Sequence, residues 1–478
     1  MKPLEEIFAE QRTPNEIISD IGSLSKDIPS WGELRKQYEP KHHPIVSDPS
    51  LRPKEKNKNG QRDVPAKIAY PAEKIVTRRM VQMAFTIPVK RVYGGYDPKD
   101  EKAKSFADAI EKVYKANRIN GVNKNRMRAY FAACEAATVW FVTETEEEHN
   151  TYGFSTNAKI RCRSYSQMDK KFSKIDEASI YPVYDDDGDM IALCFKYEVS
   201  SEGKSITHFD CFTAKKVYYY TSKDGGWDRV EKDNALGKIP AAYCSRPEPI
   251  YADIDDNRSE IEFANSRTSD VVKKNAAPIV VLRGTLVGGD APTSESGREA
   301  YQVTGEGAGV DYLQSPMNVE QTTKHINTQK QMIAEITQLP DLSLENIKGL
   351  GAISGEARKT LLTDAHMKVG EEADEIIWFF DREFSVIKSL VASLNEEWKP
   401  YVNTLTCTHT ITPFVQNDKA AQTDVLVKQV DGGLKSRRTA MTEMGDYDNV
   451  DNEMAIIEQE QAASAEANRM VDLFEGAE

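Results

Sequence analysis

Apolar positions in the first 140 residues recur mostly in steps of three and four, the spacing of an amphipathic helix. Residues 1–40 read as short helices. The stretch 69–92 carries Ile75, Val76, Met80, Met83 and Phe85 and predicts a helix ending before Pro88, and 105–138 predicts one or two more. At Val139 the period shortens to two. Runs at 138–143, 158–164, 179–184, 190–199, 205–212 and 216–221, punctuated by Gly, Asp and Ser, predict an antiparallel meander. After Pro240 a helix is expected at 253–275 and a strand at 279–286. A Gly-, Ser- and Thr-rich loop follows at 287–297, then two short strands within 301–313 joined by a hairpin loop at Gly305, Gly307 and Gly309, and a helix at 319–338. The longest signal covers 354–399. There Leu362, Ala365, Val369, Ala373, Ile376, Phe380, Phe384, Ile387, Val391 and Leu394 keep one face apolar until Pro400. Such a helix would be ~69 Å long at ~1.5 Å per residue, with Gly370 a place for a kink. A strand at 405–412 and a helical C-terminal region complete an α+β chain.

The length of 478 residues suggests about three domains, interleaved along the chain. No apolar run approaches the ~18 to 20 residues of a membrane span, and the charged residues 1–10 lack the pattern of a signal peptide, so a soluble, non-exported protein is expected. Cys134, Cys162, Cys194, Cys211, Cys244 and Cys407 form no C-x-x-C pair, which predicts neither a disulfide framework nor a zinc knuckle and fits a reducing compartment. The net charge of −14 argues against a free-standing DNA-binding factor, whose phosphate affinity would come from a surplus of cations, but not against a protein that lets DNA slide past. Much of that charge is local. Residues 451–478 hold eight carboxylates against Arg469, whereas 41–67 holds seven basic and three acidic residues and reads as an arm or long loop.

Catalytic patterns are missing. Gly203-Lys204-Ser205 has Glu198 where a phosphate-binding loop needs its first glycine, and Gly237-Lys238 is followed by Ile239. The acidic run 185–189 places Val183 and Cys194 at calcium-ligand positions, so it reads as a turn. Gly305, Gly307 and Gly309 precede a strand and not a helix, which removes a dinucleotide fingerprint. Cys407 and His409 fall on one face of a probable strand and are expected to pack, while Glu371, Glu372, Asp374 and Glu375 are expected to form a solvated face. No catalytic residue, metal site or cofactor is indicated, and the chain is expected not to be an enzyme.

The order helix, β insert, returning helix, Gly-rich loop and very long helix carries a resemblance. Residues 326–362 (INTQKQMIAEITQLPDLSLENIKGLGAISGEARKTLL) are similar to the tunnel segment of phage portal proteins of the SPP1 type. Residues 411–460, with Ile411-Thr412-Pro413-Phe414, Leu434-Lys435-Ser436-Arg437-Arg438-Thr439 and Glu443-Met444-Gly445-Asp446-Tyr447-Asp448, resemble that family's ending. Fainter echoes lie at 75–88 and 237–240. Two features depart from the family: Glu356 follows the Ser-Gly pair where a small residue is usual, and the basic arm has no counterpart.

The resemblance implies a portal fold with clip, helical stem, α/β wing and helical crown, assembled as a ring, usually of twelve copies. The expected divisions are residues 1–250 for the N-terminal arm and the beginning of the wing, 251–278 and 319–338 for the stem helices, 279–318 for the clip, 339–353 for the tunnel loop, 354–417 for the long wing helix and wing strand, and 418–478 for the crown. Such a ring sits at the portal vertex of the virion capsid, is assembled in the host cytoplasm, and passes double-stranded DNA. Its implied partners are the terminase large subunit, the major capsid protein and scaffold, and the head-tail adaptor or connector, with no membrane. Lys348, Gly349, Leu350, Gly351, Ala352 and Ile353 would reach DNA, and Arg358 and Lys359 would mark the channel end of the long helix. Lys324, Lys330, Gln331 and Glu335 would line the stem. Arg283, Arg298, Tyr301 and Tyr312 would form the clip interface. The alternatives are another non-enzymatic head-tail adaptor or capsid component, or a soluble nucleic-acid-processing enzyme.

One physical property of the stem fits a conduit. In 319–338, Glu320 and Glu335 balance Lys324 and Lys330, and nine of twenty residues are uncharged Gln, Thr or Asn. A near-neutral polar wall avoids the phosphate affinity that a lysine-lined wall would create. Its expected apolar stripe is Ile326, Met332, Ile333 and Ile336.

Overall fold

The computed structural model describes residues 4–22, 28–56, 62–168, 176–201, 204–223, 225–276, 279–287, 303–313, 318–341, 362–414, 419–445 and 450–475. Helices and strands sit in separate layers, the α+β arrangement expected from the change of period. The chain divides into two units, Met1–Asp341 with Asp364–Phe414, and Leu342–Thr363 with Val415–Glu478.

In the first unit, strands Asp176–Tyr184, Met190–Ser201, Lys204–Thr213, Lys216–Lys223 and Gly226–Asp233 form a five-stranded antiparallel meander in chain order. Alternation sorts its side chains onto two buried faces. Leu193, Phe195 and Tyr197 share a core with Ala137, Val139, Tyr165 and Tyr243 of a second sheet. Ala192 and Cys194, one step out of phase, join Cys211 and Tyr220 beneath Ile7, Phe8, Ile17 and Ile21 of the N-terminal helices Leu4–Ile7 and Pro14–Gly22 and their connection. Phe8 stacks on Tyr218 with ring centres 4.9 Å apart.

The second sheet corrects the expected single meander. Its central strand, Glu135–His149, lies between Thr156–Tyr165 and Ala241–Ser245, so the runs at 138–143 and 158–164 leave the meander altogether. Ala241–Ser245 has no alternation to betray it, because all but its last residue are buried. Gly226–Asp233 and Lys90–Gly94 were likewise not anticipated; the latter pairs with Thr406–Thr410, the strand expected at 405–412.

The helical layer follows the sequence more closely. Ala72–Phe85 is the helix expected within 69–92, and 105–138 resolves into Glu101–Ala116 and Ile119–Ala133. Asp100 caps the former, its Oδ1 accepting from the backbone N–H of Lys102 and Ala103. The long helix is Thr363–Leu394, ~48 Å at ~1.5 Å per residue, and is unbroken at Gly370. It ends before Pro400. Asn395 turns extended and accepts from Glu397 N at 3.1 Å, starting the 3-10 helix Glu396–Val402 that contains Pro400. Its expected beginning at 354 falls outside the described residues.

Two cores meet along this helix. Ala365, Val369, Ile376 and Phe380 belong with Met80, Phe85 and Met127, whereas Phe384, Ile387 and Val391 belong with Phe106, Val113 and Trp140. The expected solvated face needs one correction. Glu372 is partly buried and paired with Arg246 at 3.2 Å, because the strand end at Ser245 brings a cation over that turn.

The second unit is described as three helices, Lys419–Asp431, Arg437–Met444 and Val450–Glu475. Ser436 caps the middle one by accepting from Thr439 N, and Gly445 ends it at φ 69°. Arg438 pairs with Asp451 at 2.9 Å.

Candidate functional site

The helix expected at 253–275 runs Asp255–Ala276, and its returning partner runs Val319–Thr337. Asn257 donates to Gln329 Oε1 at 2.7 Å and Glu260 faces His325 at 3.5 Å, so the two helices lie antiparallel. Asn318 caps the return by accepting from Gln321 N, and Gln338 closes it in the left-handed conformation, φ 54°.

Between them Ile279–Leu286 pairs with Val303–Leu313. The glycine run is therefore not a hairpin loop but belongs to one strand. Arg283 stands opposite Gly309 and Thr285 opposite Thr304, so four residues bulge across from Gly284. Positive φ at Gly284 and Gly305 accommodates this, and a Cβ on Gly284 would lie 2.9 Å from the Thr304 carbonyl oxygen. Arg283 is exposed but paired with Asp311 at 2.6 Å, while Tyr312 falls on the strand opposite Val280.

The returning helix carries three different faces. Glu320, Lys324, Asn327, Gln331 and Glu335 recur in steps of three and four and are all exposed, which brings three of the expected wall residues together. Lys330 does not join them. It is half-buried, its ammonium 6.0 Å from the Tyr70 ring centre. The expected apolar stripe also splits: Ile333 and Ile326 turn to the core, whereas Met332 and Ile336 stay 42% and 43% exposed.

Helix Asp255–Ala276 is held by the arm and the residues that follow it. Tyr70 N, Ile68 N and Ala66 N donate to Glu262 Oε1, Ser266 Oγ and Asp270 Oδ1 at 2.8, 2.9 and 2.8 Å. Every second residue of an extended chain advances roughly 6.6 Å and every fourth residue of a helix about 6 Å, so the two spacings match. Further back, His43 is fully buried between the same helix and Ala72–Phe85. Its Nδ1 lies 2.5 Å from Glu262 Oε1 and its Nε2 lies 2.6 Å from the Gln37 carbonyl and 3.8 Å from Glu73. Arg258 completes the cluster, 2.7 Å from Glu73 and 3.0 Å from Glu262, and also meets Asp255. Burial pushes the Glu73 carboxyl up to about 7 against the pull of Arg258. In the sequence, residues 41–67 read only as an arm without a placed partner. The i, i+4 spacing of Arg258 and Glu262 is visible there, but nothing local marks His43 as their partner.

Other candidate chemistry resolves into structure. Asp185 Oδ1 accepts from the backbone of Asp187 and Asp189, making 185–189 a turn with Gly188 at φ 88°. Among the described residues no group of His, Cys, Asp and Glu is arranged to hold a metal ion. His409 bonds Asp381 at 2.7 Å, and burial pushes the Cys407 thiol up to about 12, which removes it as a thiolate nucleophile. No helix among the described residues is long and apolar enough to cross a membrane. Lys348, Gly349, Leu350, Gly351, Ala352, Ile353, Arg358, Lys359, Arg298 and Tyr301 lie outside the described residues.

A helical pair thus ends in a β hairpin, and the long helix, which packs on Trp140 of the second sheet, follows it in the chain. The family described as phage portal protein, SPP1 Gp6-like, matches residues 21–467. The chain belongs to that portal family. No curated relative matches it. Among solved structures, a chain in "Neck of native GTA particle computed with C12 symmetry" is 9% identical with a TM-score of 0.37, covering 86% of this chain and 92% of that one. A chain in "Virion of native gene transfer agent (GTA) particle" is 10% identical with a TM-score of 0.36, covering 89% and 98%.

Proposed function

We propose that copies of this chain, twelve by the family resemblance, close into a ring at one capsid vertex of the virion. There the ring conducts double-stranded DNA inward during packaging and outward during ejection. The terminase large subunit docks first and the head-tail connector later, with the clip hairpin as the meeting surface. Packaging energy comes from that motor. The single observation supporting this reading is the division of faces on Val319–Thr337. An exposed polar stripe with charges Glu320, Lys324 and Glu335 stands beside the uncovered apolar pair Met332 and Ile336. The stripe suits a wall that must not grip phosphate, and the apolar pair suits coverage by a neighbouring copy. Twelve helices of ~10 Å side by side enclose a circle roughly 38 Å between opposite axes and about 28 Å clear, enough for a duplex.

Light scattering and negative-stain microscopy of the purified chain test this. Closed rings with a central hole are expected, and a monodisperse monomer of 53.7 kDa at micromolar concentration would overturn the reading.

A further inference from the structure

Between the polar stripe of Val319–Thr337 and the arm on the far side of Asp255–Ala276, the helix pair presents two flanks of different character. One flank carries Glu260 and His325, 3.5 Å apart, with Phe263, Arg267 and Lys274 following Glu260 at helical spacing. The Arg267 guanidinium lies 4.8 Å from the Phe263 ring centre. Phe263 is 39% exposed and lines a cavity of about 450 Å³ together with Leu51 and Val64 of the arm. Arg52, which also lines it, is paired with Asp270. The opposite flank carries Val272, 56% exposed. It follows Phe263 by nine residues, two and a half turns at ~100° per residue, so the two side chains point opposite ways. Thr323 and Lys330 of the returning helix, seven residues apart and turned away from His325, share that second flank, and Glu320 stands at the edge of the polar stripe one turn from Thr323.

Resting on the ring reading above, we propose that this cavity is the socket for the next copy: Val272 of one chain enters it and lies on Phe263 of its neighbour, and Glu320 pairs with the neighbour's Arg267. Copies in a closed ring are related by rotation, which leaves height along the axis unchanged, so groups that meet between copies stand at one level. With the helix pair running along that axis, the contacts Asn257–Gln329 and Glu260–His325 set the levels. Arg267 comes ten residues after Asn257 and Glu320 nine before Gln329, which puts them within about 1.5 Å of the same height. Val272 falls between Arg267 and Lys274, inside the span of the cavity. The spacing of the copies leaves room for such a joint. Where the returning helices form a circle ~38 Å between opposite axes, helices Asp255–Ala276 lie ~10 Å further out and stand roughly 15 Å apart, a gap that one helix of ~10 Å does not fill and that the arm and the entering side chain do. A socket and a plug on different faces make a head-to-tail contact, which closes into a ring instead of stopping at a pair.

Disulfide cross-linking of the full-length chain tests the socket. In a chain carrying both Phe263→Cys and Val272→Cys the two thiols lie on opposite sides of one helix and cannot reach each other, so an oxidant joins them only between chains. A ladder of linked multimers is expected on a non-reducing gel, beyond the background set by the six native cysteines in the unaltered chain. Each single variant alone should give no ladder, and the two mixed before assembly should stop at linked dimers. Rings seen by microscopy without a ladder overturn the socket and leave the ring reading standing. So does a linked dimer from either single variant, which marks a symmetric contact. An unaltered chain that stays monomeric overturns both. For the charge pair, Arg267→Glu should lower the yield of rings at a fixed concentration by about threefold or more, and adding Glu320→Arg to the same chain should restore it. An Arg267→Glu chain that assembles fully, or one that the second change does not rescue, removes the pair.

Discussion

Arg126 and Glu383 meet across 257 residues of sequence as a buried two-pronged pair, Nη1 to Oε1 at 2.5 Å and Nη2 to Oε2 at 2.7 Å. Trp140 Nε1 donates to the same carboxylate at 2.7 Å, and the guanidinium lies 4.7 Å from the Phe379 ring centre. One contact thus joins helix Ile119–Ala133, the central strand of the second sheet and the long helix. Glu383→Gln leaves a buried cation unpaired and should cost about 3 to 5 kcal/mol in denaturant unfolding. Arg126→Met combined with Glu383→Leu should cost less than the sum of the single changes.

Phe380 lies between Phe85 and His409, with ring centres at 6.4 and 5.8 Å. Phe380→Ala removes a filled core site and should lower stability by about 3 to 5 kcal/mol, seen as an early thermal transition before any DNA step is affected.

Burial pushes the Asp210 carboxyl up to about 6, although the Tyr197 hydroxyl donates to it at 2.8 Å and Arg163 attracts the charged form. A carboxyl raised on folding contributes most below its unfolded value, and that contribution is lost as pH climbs through about 6. Asp210→Asn keeps the acceptor without the charge. The variant should melt higher than wild type at pH about 7, by on the order of 2 kcal/mol, with the gain vanishing near pH about 4.

Deleting residues 348–352 should leave ring assembly and melting nearly unchanged, because a glycine-rich loop contributes little burial. DNA packaging or retention should fail. Loss of rings with normal packaging in surviving heads would remove this segment from the tunnel.

What sequence could reveal follows the range of the forces involved. Helix Val319–Thr337 was legible to within a residue because its period, its Asn318 cap and the following turn are all local. The exposed stripe of Lys324, Gln331 and Glu335 was legible for the same reason. Lys330 departs from that stripe because Tyr70, far away in the chain, lies beside it. The second sheet was missed because its strand order depends on pairing Val139 with Ala241 about a hundred residues on. His43, Glu73 and Arg258 share no local pattern at all. Their meeting is a product of packing three separate elements.

The covering of the five-stranded sheet by residues 4–22 sets an order of events during synthesis. Ile7, Phe8 and Ile17 leave the ribosome first, yet the surface they cover is complete only when Asp233 has emerged. At about 5 to 20 residues per second that interval is roughly 10 to 50 s, during which an apolar N-terminus has no native partner. Until then it stays open to chaperones and to stray association with other nascent chains. Residues 4–22 therefore settle only after the sheet they cover has been made.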